Sequence, residues 1–206
     1  MLNGAPIIAT TSSGQDARMS GNVVVVLAAG AGRRFLGTTH KLDVVVRGRT
    51  LLRHAVDAAV ASAVGPVLVI TADHVTTRLP DGVIRIVNHD WKAGQASSLR
   101  VGLAEALERD ARGAVVALGD QPLVTADAWR SVAAADSPIA VATYGGQRGH
   151  PVMLRRDVWD LLPSAGDEGA RALMRLRSDL VVEVPCEGSP TDVDTLEDLH
   201  RWQNNS

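Results

Sequence analysis

Apolar positions along the chain fall into short runs, separated by longer stretches whose apolar residues recur at helical spacing. Val23–Leu27, Val67–Ile70, Val83–Val87 and Gly113–Leu118 are apolar or nearly so and rich in β-branched residues. Continuous runs of this kind suit strands covered on both faces, not strands with one wet side. Between them, Leu51, Leu52, Ala55, Val56, Ala59 and Val60 form a helical stripe, with Thr50 placed as its N-cap and Gly65-Pro66 as its stop. Ala96–Arg109 repeats the pattern with Leu99, Leu103, Ala106 and Leu107, and Ala126–Ala135 forms a further helix. Asp73–Arg78 reads as a short helix, and Asp43–Arg49 as an extended piece with a turn. In the last third, strands are expected at Ile139–Thr143, Val152–Leu154 and Val181–Val184, with a turn at Gly145-Gly146. Short helices are expected at Arg156–Leu162 and Glu168–Leu176, the second capped by Asp167. Asp194–Trp202 would close the chain as a helix, with Asp194 and Glu197 forming a capping box.

Strands that alternate with helices predict an α/β chain: a single-domain, three-layer αβα sandwich with a mostly parallel, Rossmann-like central sheet. In such a sheet ligands bind beyond the carboxyl ends of the strands. That rule brings Ala28–Lys41, Asn88–Gln95 and Gly119–Pro122 to one rim. Residues 1–21, rich in Ser, Thr and Gly and lacking a basic segment before an apolar one, read as a disordered leader; residues 22–206 form the domain. The 206 residues, 46% hydrophobic, are enough for one substantial core. Aromatic residues make up only 3%, so Val, Leu, Ile and Ala must build it. A net charge of −2 argues against a general nucleic-acid binder, and any affinity for phosphate must therefore be local. A lone cysteine, Cys186, and no bilayer-length apolar run fit a cytoplasmic protein.

The loop after the first strand carries the strongest chemistry. Leu27-Ala28-Ala29-Gly30-Ala31-Gly32-Arg33-Arg34-Phe35 runs on through Gly37 to Lys41. Glycines let backbone N–H groups approach an anion, and Arg33, Arg34 and Lys41 add positive charge, so a nucleotide polyphosphate is the simplest ligand. Two familiar patterns nearly fit. The dinucleotide fingerprint G-x-G-x-x-G meets Phe35 in place of its third glycine, and the P-loop meets Thr38 in place of its lysine.

Other segments complement it. Leu118-Gly119-Asp120-Gln121-Pro122 sets a carboxylate just past a buried strand, suited to a divalent cation that completes its shell with phosphate and water oxygens. Asp194 could reach the same cation as well as cap its helix. Gly94-Gln95-Ala96-Ser97-Ser98 opens a helix whose amides and hydroxyls suit a base edge or a phosphate. Gly146-Gln147-Arg148-Gly149-His150-Pro151 reads as a polar turn able to touch a substrate, and Arg171 could pair with an acidic group. No zinc-spaced His/Cys cluster and no nucleophile elbow occur. Transfer by direct in-line attack needs neither.

In order along the chain, these motifs resemble those of the molybdenum cofactor cytidylyltransferases, within the glycosyltransferase-A-like nucleotidyltransferases. The loop and the Gly-Asp-x-Pro turn are shared with many nucleotidyltransferases. Arg148-Gly149-His150-Pro151 and Gly166-Asp167-x-Gly169-Ala170-Arg171 point to this branch, and Ala29 favours the cytidine-using members over guanylyltransferases. The resemblance implies a nucleotide-diphospho-sugar transferase-like fold and Mg²⁺-dependent transfer of CMP from CTP to molybdopterin, releasing pyrophosphate. It implies Lys41, Arg34 and Asp120 as catalytic residues. Leu27, Ala28, Ala29, Gly30, Gly32, Arg33, Lys41, Gly94 and Ser98 would hold the nucleotide, and Gln147, Arg148, His150 and Arg171 the pterin side. Asp120 and Asp194 would be the Mg²⁺ ligands, and a molybdoenzyme or its maturation chaperone a partner, with no nucleic acid or membrane involved. The insert Leu36–His40 is longer than many relatives carry; it sets where Lys41 points, or His40 adds a contact. Rival readings are another nucleotidyltransferase, a nicotinamide-dependent oxidoreductase and a non-catalytic cofactor binder.

Overall fold

The computed structural model describes residues 21–32, 40–163, 166–193, 195, 197 and 198. Its elements are, in order, β1 (Asn22–Ala28), β2 (Val45–Val46), β3 (Arg49–Thr50), α1 (Leu51–Ala61), β4 (Val67–Thr71), β5 (Ile84–Val87), α2 (Gln95–Glu108) and β6 (Gly113–Leu118). They continue with α3 (Ala126–Ala133), β7 (Ile139–Tyr144), β8 (Gln147–Arg155), α4 (Ala170–Leu176) and β9 (Val181–Pro185). Short 3₁₀ turns at Lys41–Asp43, Trp91–Ala93, Arg156–Leu161 and Ser178–Leu180 link them.

Seven strands form one sheet in the order β5-β4-β1-β6-β8-β7-β9. β1 pairs in parallel with β4 on one side and β6 on the other, and only β8 runs against its neighbours. The expected mostly parallel sheet is therefore present. Side chains alternate along β1: Val24, Val26 and Ala28 pack with Leu51, Leu52, Val56, Trp129 and Val132 of α1 and α3. Val23, Val25 and Leu27 face the other way, against Leu99, Leu103 and Ala106 of α2 and Leu173 and Met174 of α4. Both faces of the sheet are thus dry, which is why its strands read as unbroken apolar runs. No helix among the described residues is long and apolar enough to cross a membrane.

Four local expectations are corrected. Asp73–Arg78 is not helical, because side chains take the backbone groups a helix would use. The Asp43 carboxylate accepts from the N–H groups of Thr76 and Thr77, and the Arg85 guanidinium donates to the carbonyls of Val75 and Thr77. Burial alone would raise the Asp43 carboxyl, but the bonds from Thr77 and Thr76 outweigh it and hold the group below its ordinary value. Second, β8 starts at Gln147, so Gln147–His150 belong to a strand and not to a turn. β7 advances from Val141 to Thr143 while β8 goes from Arg148 to Val152, a bulge holding Gly149, His150 and Pro151.

Third, α4 begins at Ala170, with Gly169 and not Asp167 before it. The segment ahead of α4 is instead tied to the start of α2, through Gly166 N–H to Ala93 O and Ala96 N–H to Gly166 O. Fourth, the capping box near the C-terminus is one residue later than expected. Thr195 N–H donates to the Asp198 carboxylate and Asp198 N–H to Thr195 Oγ1, the reciprocal pair of a box. Asp194, the expected cap, lies outside the described residues, as do residues 1–20 of the expected leader and residues 196 and 199–202 of the expected closing helix.

Thr50 does cap α1, accepting from Arg53 N–H at 3.3 Å. Thr50→Val keeps the β-branched shape that β3 needs and removes only this acceptor. Urea unfolding should show a loss of about 1 kcal/mol; an unchanged midpoint would show that the cap contributes nothing.

Candidate active site

The parallel register sets Leu27 opposite Leu118, so the loops leaving β1 and β6 emerge side by side at the carboxyl rim. Between them opens a cleft of about 490 Å³. Leu27, Ala28, Ala29, Gly30, Gly32 and Lys41 line it on the β1 side, Gly94 and Ser98 on the α2 side, and Asp120 at the end of β6. The three loops expected at one rim are there. Arg33 and Arg34 lie outside the described residues, so the described part of the loop is its two ends.

Lys41 and Asp120 meet across this cleft, Nζ to Oδ2 at 2.5 Å. Both are largely covered, with side chains 10% and 17% exposed. A charge pair at this depth is held in a medium much less polar than water, where breaking it by deleting one partner is costly. The second carboxylate oxygen, Asp120 Oδ1, is buried without a hydrogen-bond partner among the described residues. A buried anionic oxygen left in this way calls for an electrophile, and a divalent cation is the natural one. No group of three or more acidic, histidine or cysteine side chains assembles a cation cage among the described residues. A single carboxylate of this kind fits a divalent cation that draws its other oxygens from phosphate and water.

Lys41 sits in the 3₁₀ turn Lys41–Asp43, fixed at both ends. Asp43 anchors it to Thr76 and Thr77, whose hydroxyls both donate to its carboxylate. At the other end His40 caps the turn, its Nδ1 accepting from Leu42 N–H at 3.4 Å. Gly32 has φ +61, and a Cβ there would stand 3.1 Å from His40 Nε2, so a side chain at this position would be strained and crowded.

The opposite wall is built on Asn88. Its Nδ2 donates to Ser97 Oγ at 2.9 Å and Ser98 Oγ at 3.0 Å, while its Oδ1 accepts from Asp90 N–H. Gly94 precedes α2 with φ +100, and a Cβ would fall 2.6 Å from both Gly166 O and Asp167 Oδ1. Gly166 O belongs to the backbone and cannot give way, so this position is closed to other residues. Two amides of the first turn of α2 are already used, Ala96 by Gly166 O and Ser97 by Gly94 O, which leaves less of this helix terminus for a ligand than the motif suggested. Trp91, Lys92, Gln95 and Asp167 also line the cleft and were not singled out from the sequence. The signal for Trp91 was an aromatic residue in a polar loop of a chain poor in aromatics. For Asp167, its apparent role as a helix cap hid it.

Beside Asp120, Gln121 donates to Pro190 O at 2.9 Å and Asp192 Oδ1 at 2.7 Å, and Val193 N–H donates to Asp120 O. The segment leading to Asp194 is thereby laid along the Gly-Asp-x-Pro turn.

A second cavity, about 230 Å³, adjoins the first, sharing Leu27 and Gln95. Its floor is apolar, with Leu99, Val116, Val141, Val152 and Met174, and Arg148, His150, Arg171 and Arg175 are among its polar lining. Three of the four residues expected on the pterin side thus come together, while Gln147 is exposed at the hairpin and lines neither cavity. Arg148 is held by Glu183 at 2.7 Å.

A scan of protein families matches residues 24–182 to the MobA-like NTP transferase domain. The nicotine blue oxidoreductase of Paenarthrobacter nicotinovorans is 34% identical over 194 residues, covering 86% of this chain and 94% of that protein. Among solved structures, Rv0371c from Mycobacterium tuberculosis H37Rv superposes with a TM-score of 0.77 at 30% identity, covering 89% of this chain and 98% of that one. The complex of the same protein with manganese gives a TM-score of 0.76 at 29% identity, covering 90% and 100%. The chain belongs to the MobA-like NTP transferase family and is a nucleotidyltransferase.

His150 offers a test of the second cavity. Burial, and after it the charge of Arg171, pushes its imidazole down to about 4. An unfolded-chain histidine titrates near pH 6.5, so below that pH the unfolded state takes up a proton that the native state refuses. The contribution is complete above about pH 6.5 and is lost as pH falls toward about 4. Between pH 7 and pH 5 the wild type should lose about 2 kcal/mol more than His150→Leu in urea unfolding. Equal losses would show that the imidazole does not stay neutral.

Proposed function

We propose, taking nucleotidyl transfer by this MobA-like NTP transferase as the premise, that the chain moves CMP from CTP to the terminal phosphate of a molybdopterin-type acceptor and releases pyrophosphate. The observation that carries this reading is the Lys41–Asp120 pair, set across a glycine-floored cleft with one Asp120 oxygen unpartnered among the described residues. A magnesium triphosphate brings both signs of charge, so one ion pair is exchanged for two: Lys41 with phosphate, and Asp120 with the cation. Asp120, with Asp194 as second ligand, would hold Mg²⁺. When bound, the cation neutralises phosphate charge and fixes the orientation of the phosphate oxygens.

Arg34 and the backbone of Gly30 and Gly32 would cradle the triphosphate, with Arg33 beside it, and Leu27, Ala28, Ala29, Gly94 and Ser98 would border the base and ribose. A phosphate oxygen of the acceptor attacks the α-phosphorus, the bond from that phosphorus to the bridging oxygen of the β-phosphate breaks, and pyrophosphate leaves with the electron pair. Lys41 stabilises the charge that gathers on the phosphates. It is already desolvated and oriented, so little reorganisation is left for the reaction itself. Arg148, His150 and Arg171 would receive the acceptor in the adjoining cavity, whose apolar floor suits a ring system and whose arginines suit its phosphate. A molybdoenzyme or its chaperone would take the product, in the cytoplasm.

A second reading is favoured by the 34% identity to nicotine blue oxidoreductase: a nicotinamide-dependent redox enzyme using Gly30-x-Gly32. Against it, the carboxylate nearest the end of β4, Asp73, is 68% exposed, pairs with His89 and does not line the cleft. A dinucleotide ribose would want an acidic group there.

Pyrophosphate release with molybdopterin as acceptor should be fastest with CTP among the four NTPs. It should fall at least about a hundredfold in Lys41→Met and Asp120→Asn, both near-isosteric changes. Full activity in both variants, or hydride transfer with a nicotinamide cofactor in place of pyrophosphate release, would overturn the proposal.

A further inference from the structure

His40 joins the two described ends of the phosphate loop. Its Nε2 lies 3.0 Å from the carbonyl oxygen of Gly30, ten residues earlier, and its Nδ1 faces the N–H of Leu42. A carbonyl can only accept and an amide N–H can only donate, so the two partners dictate the tautomer: Nε2 carries the proton and Nδ1 is bare. Neither ring nitrogen is then free to serve as a general acid or base. The ring is backed by His74, with centroids 4.6 Å apart, and His74 stands edge-on to Trp91 at 5.0 Å. Gly32 leaves room for it on the loop side. Burial, outweighing the Gly30 bond, keeps the ring below the ordinary histidine value and so neutral at pH 7, as a bare Nδ1 requires.

We infer that His40 is the positioning residue of the nucleotide site: its Nε2–H to Gly30 bond fixes how far the glycine floor stands from the turn that presents Lys41. This rests on the reading that the loop holds the triphosphate. His40 touches no substrate atom in this account. It sets the spacing between the backbone groups that would bind phosphate and the ammonium that would neutralise it, so losing the Gly30 bond alone, with the cap on the Lys41 turn kept, should weaken nucleotide binding and leave the chemical step largely intact.

Two substitutions separate its bonds. In His40→Gln the carboxamide N–H₂ stands near the place of Nε2 and can still donate to Gly30 O, while the acceptor for Leu42 is lost. In His40→Asn the carboxamide oxygen stands near the place of Nδ1 and can still cap the turn, while the reach to Gly30 is lost. Steady-state pyrophosphate release should show KM for CTP raised about tenfold in His40→Asn and His40→Ala, the scale of one neutral hydrogen bond. His40→Gln should keep KM within about threefold of wild type; kcat should change little in His40→Asn, which keeps the cap on the Lys41 turn, and fall in His40→Ala, which removes both bonds. Rescue by Asn and not by Gln, failure of Gln to rescue, or no change in any variant would overturn the inference. The ¹⁵N shifts of the wild-type ring give a readout independent of turnover: protonated Nε2 and bare Nδ1 support the clasp, and the opposite tautomer overturns it. Should the wild type release no pyrophosphate from any NTP, the functional reading fails, and the ring tautomer still decides whether the clasp exists.

Discussion

The parallel pairing of β1 with β6 is the constraint on which the rest depends. With Leu27 opposite Leu118, the glycine loop and the Gly-Asp-x-Pro turn must leave the sheet at the same height and next to each other. A shift of one residue would exchange the two apolar sets of β1 between helical layers packed around the other set, so the register is enforced by the fit of each face. Lys41 and Asp120 are 79 residues apart in sequence, and their 2.5 Å contact follows from that register together with the two anchors of the Lys41 turn, Asp43 and His40. The core thus sets the geometry of the site, and the loops supply its chemistry.

The ion pair can be read in two ways, and the surrounding atoms favour one. As a device for stability alone it would be poor, since desolvating two charges offsets most of what their attraction returns. Asp120 Oδ1, without a hydrogen-bond partner among the described residues, adds to that cost. Both penalties make sense in a site made for a ligand that carries anionic oxygens and a cation together. The adjoining cavity extends the argument: an apolar floor edged by arginines continues from the polar cleft through Leu27 and Gln95, which line both. Donor and acceptor would meet where the two spaces join.

Much of this was legible in the residues. Unbroken β-branched runs alternating with helical stripes announced a doubly covered parallel sheet, and the rule for ligand position then gathered three loops at one rim before any distance was known. What escaped was local and had a common cause: side chains from far along the chain overrode near-neighbour preferences. Asp43 and Arg85 unwound the helix expected at Asp73–Arg78, because both partners lie outside that segment. Pairing of Gly166 with the start of α2 moved the start of α4 and turned Asp167 toward the cleft. The bulge in β8 took His150 out of an expected turn and into a buried position, 8% exposed, which periodicity over so short a stretch cannot reveal. His40 is the clearest case, since its two partners are ten residues behind and two ahead, and no spacing rule links them.

The central claim is that Asp120 serves a cation only alongside a nucleotide. It is tested most directly by titrating Mn²⁺ into the protein and following the free ion by electron paramagnetic resonance, with and without CTP, in the wild type and in Asp120→Asn. The account predicts tight Mn²⁺ uptake by the wild type when CTP is present, weak uptake without it, and weak uptake by Asp120→Asn in both conditions. Uptake that is equal in the two proteins with CTP present would contradict it.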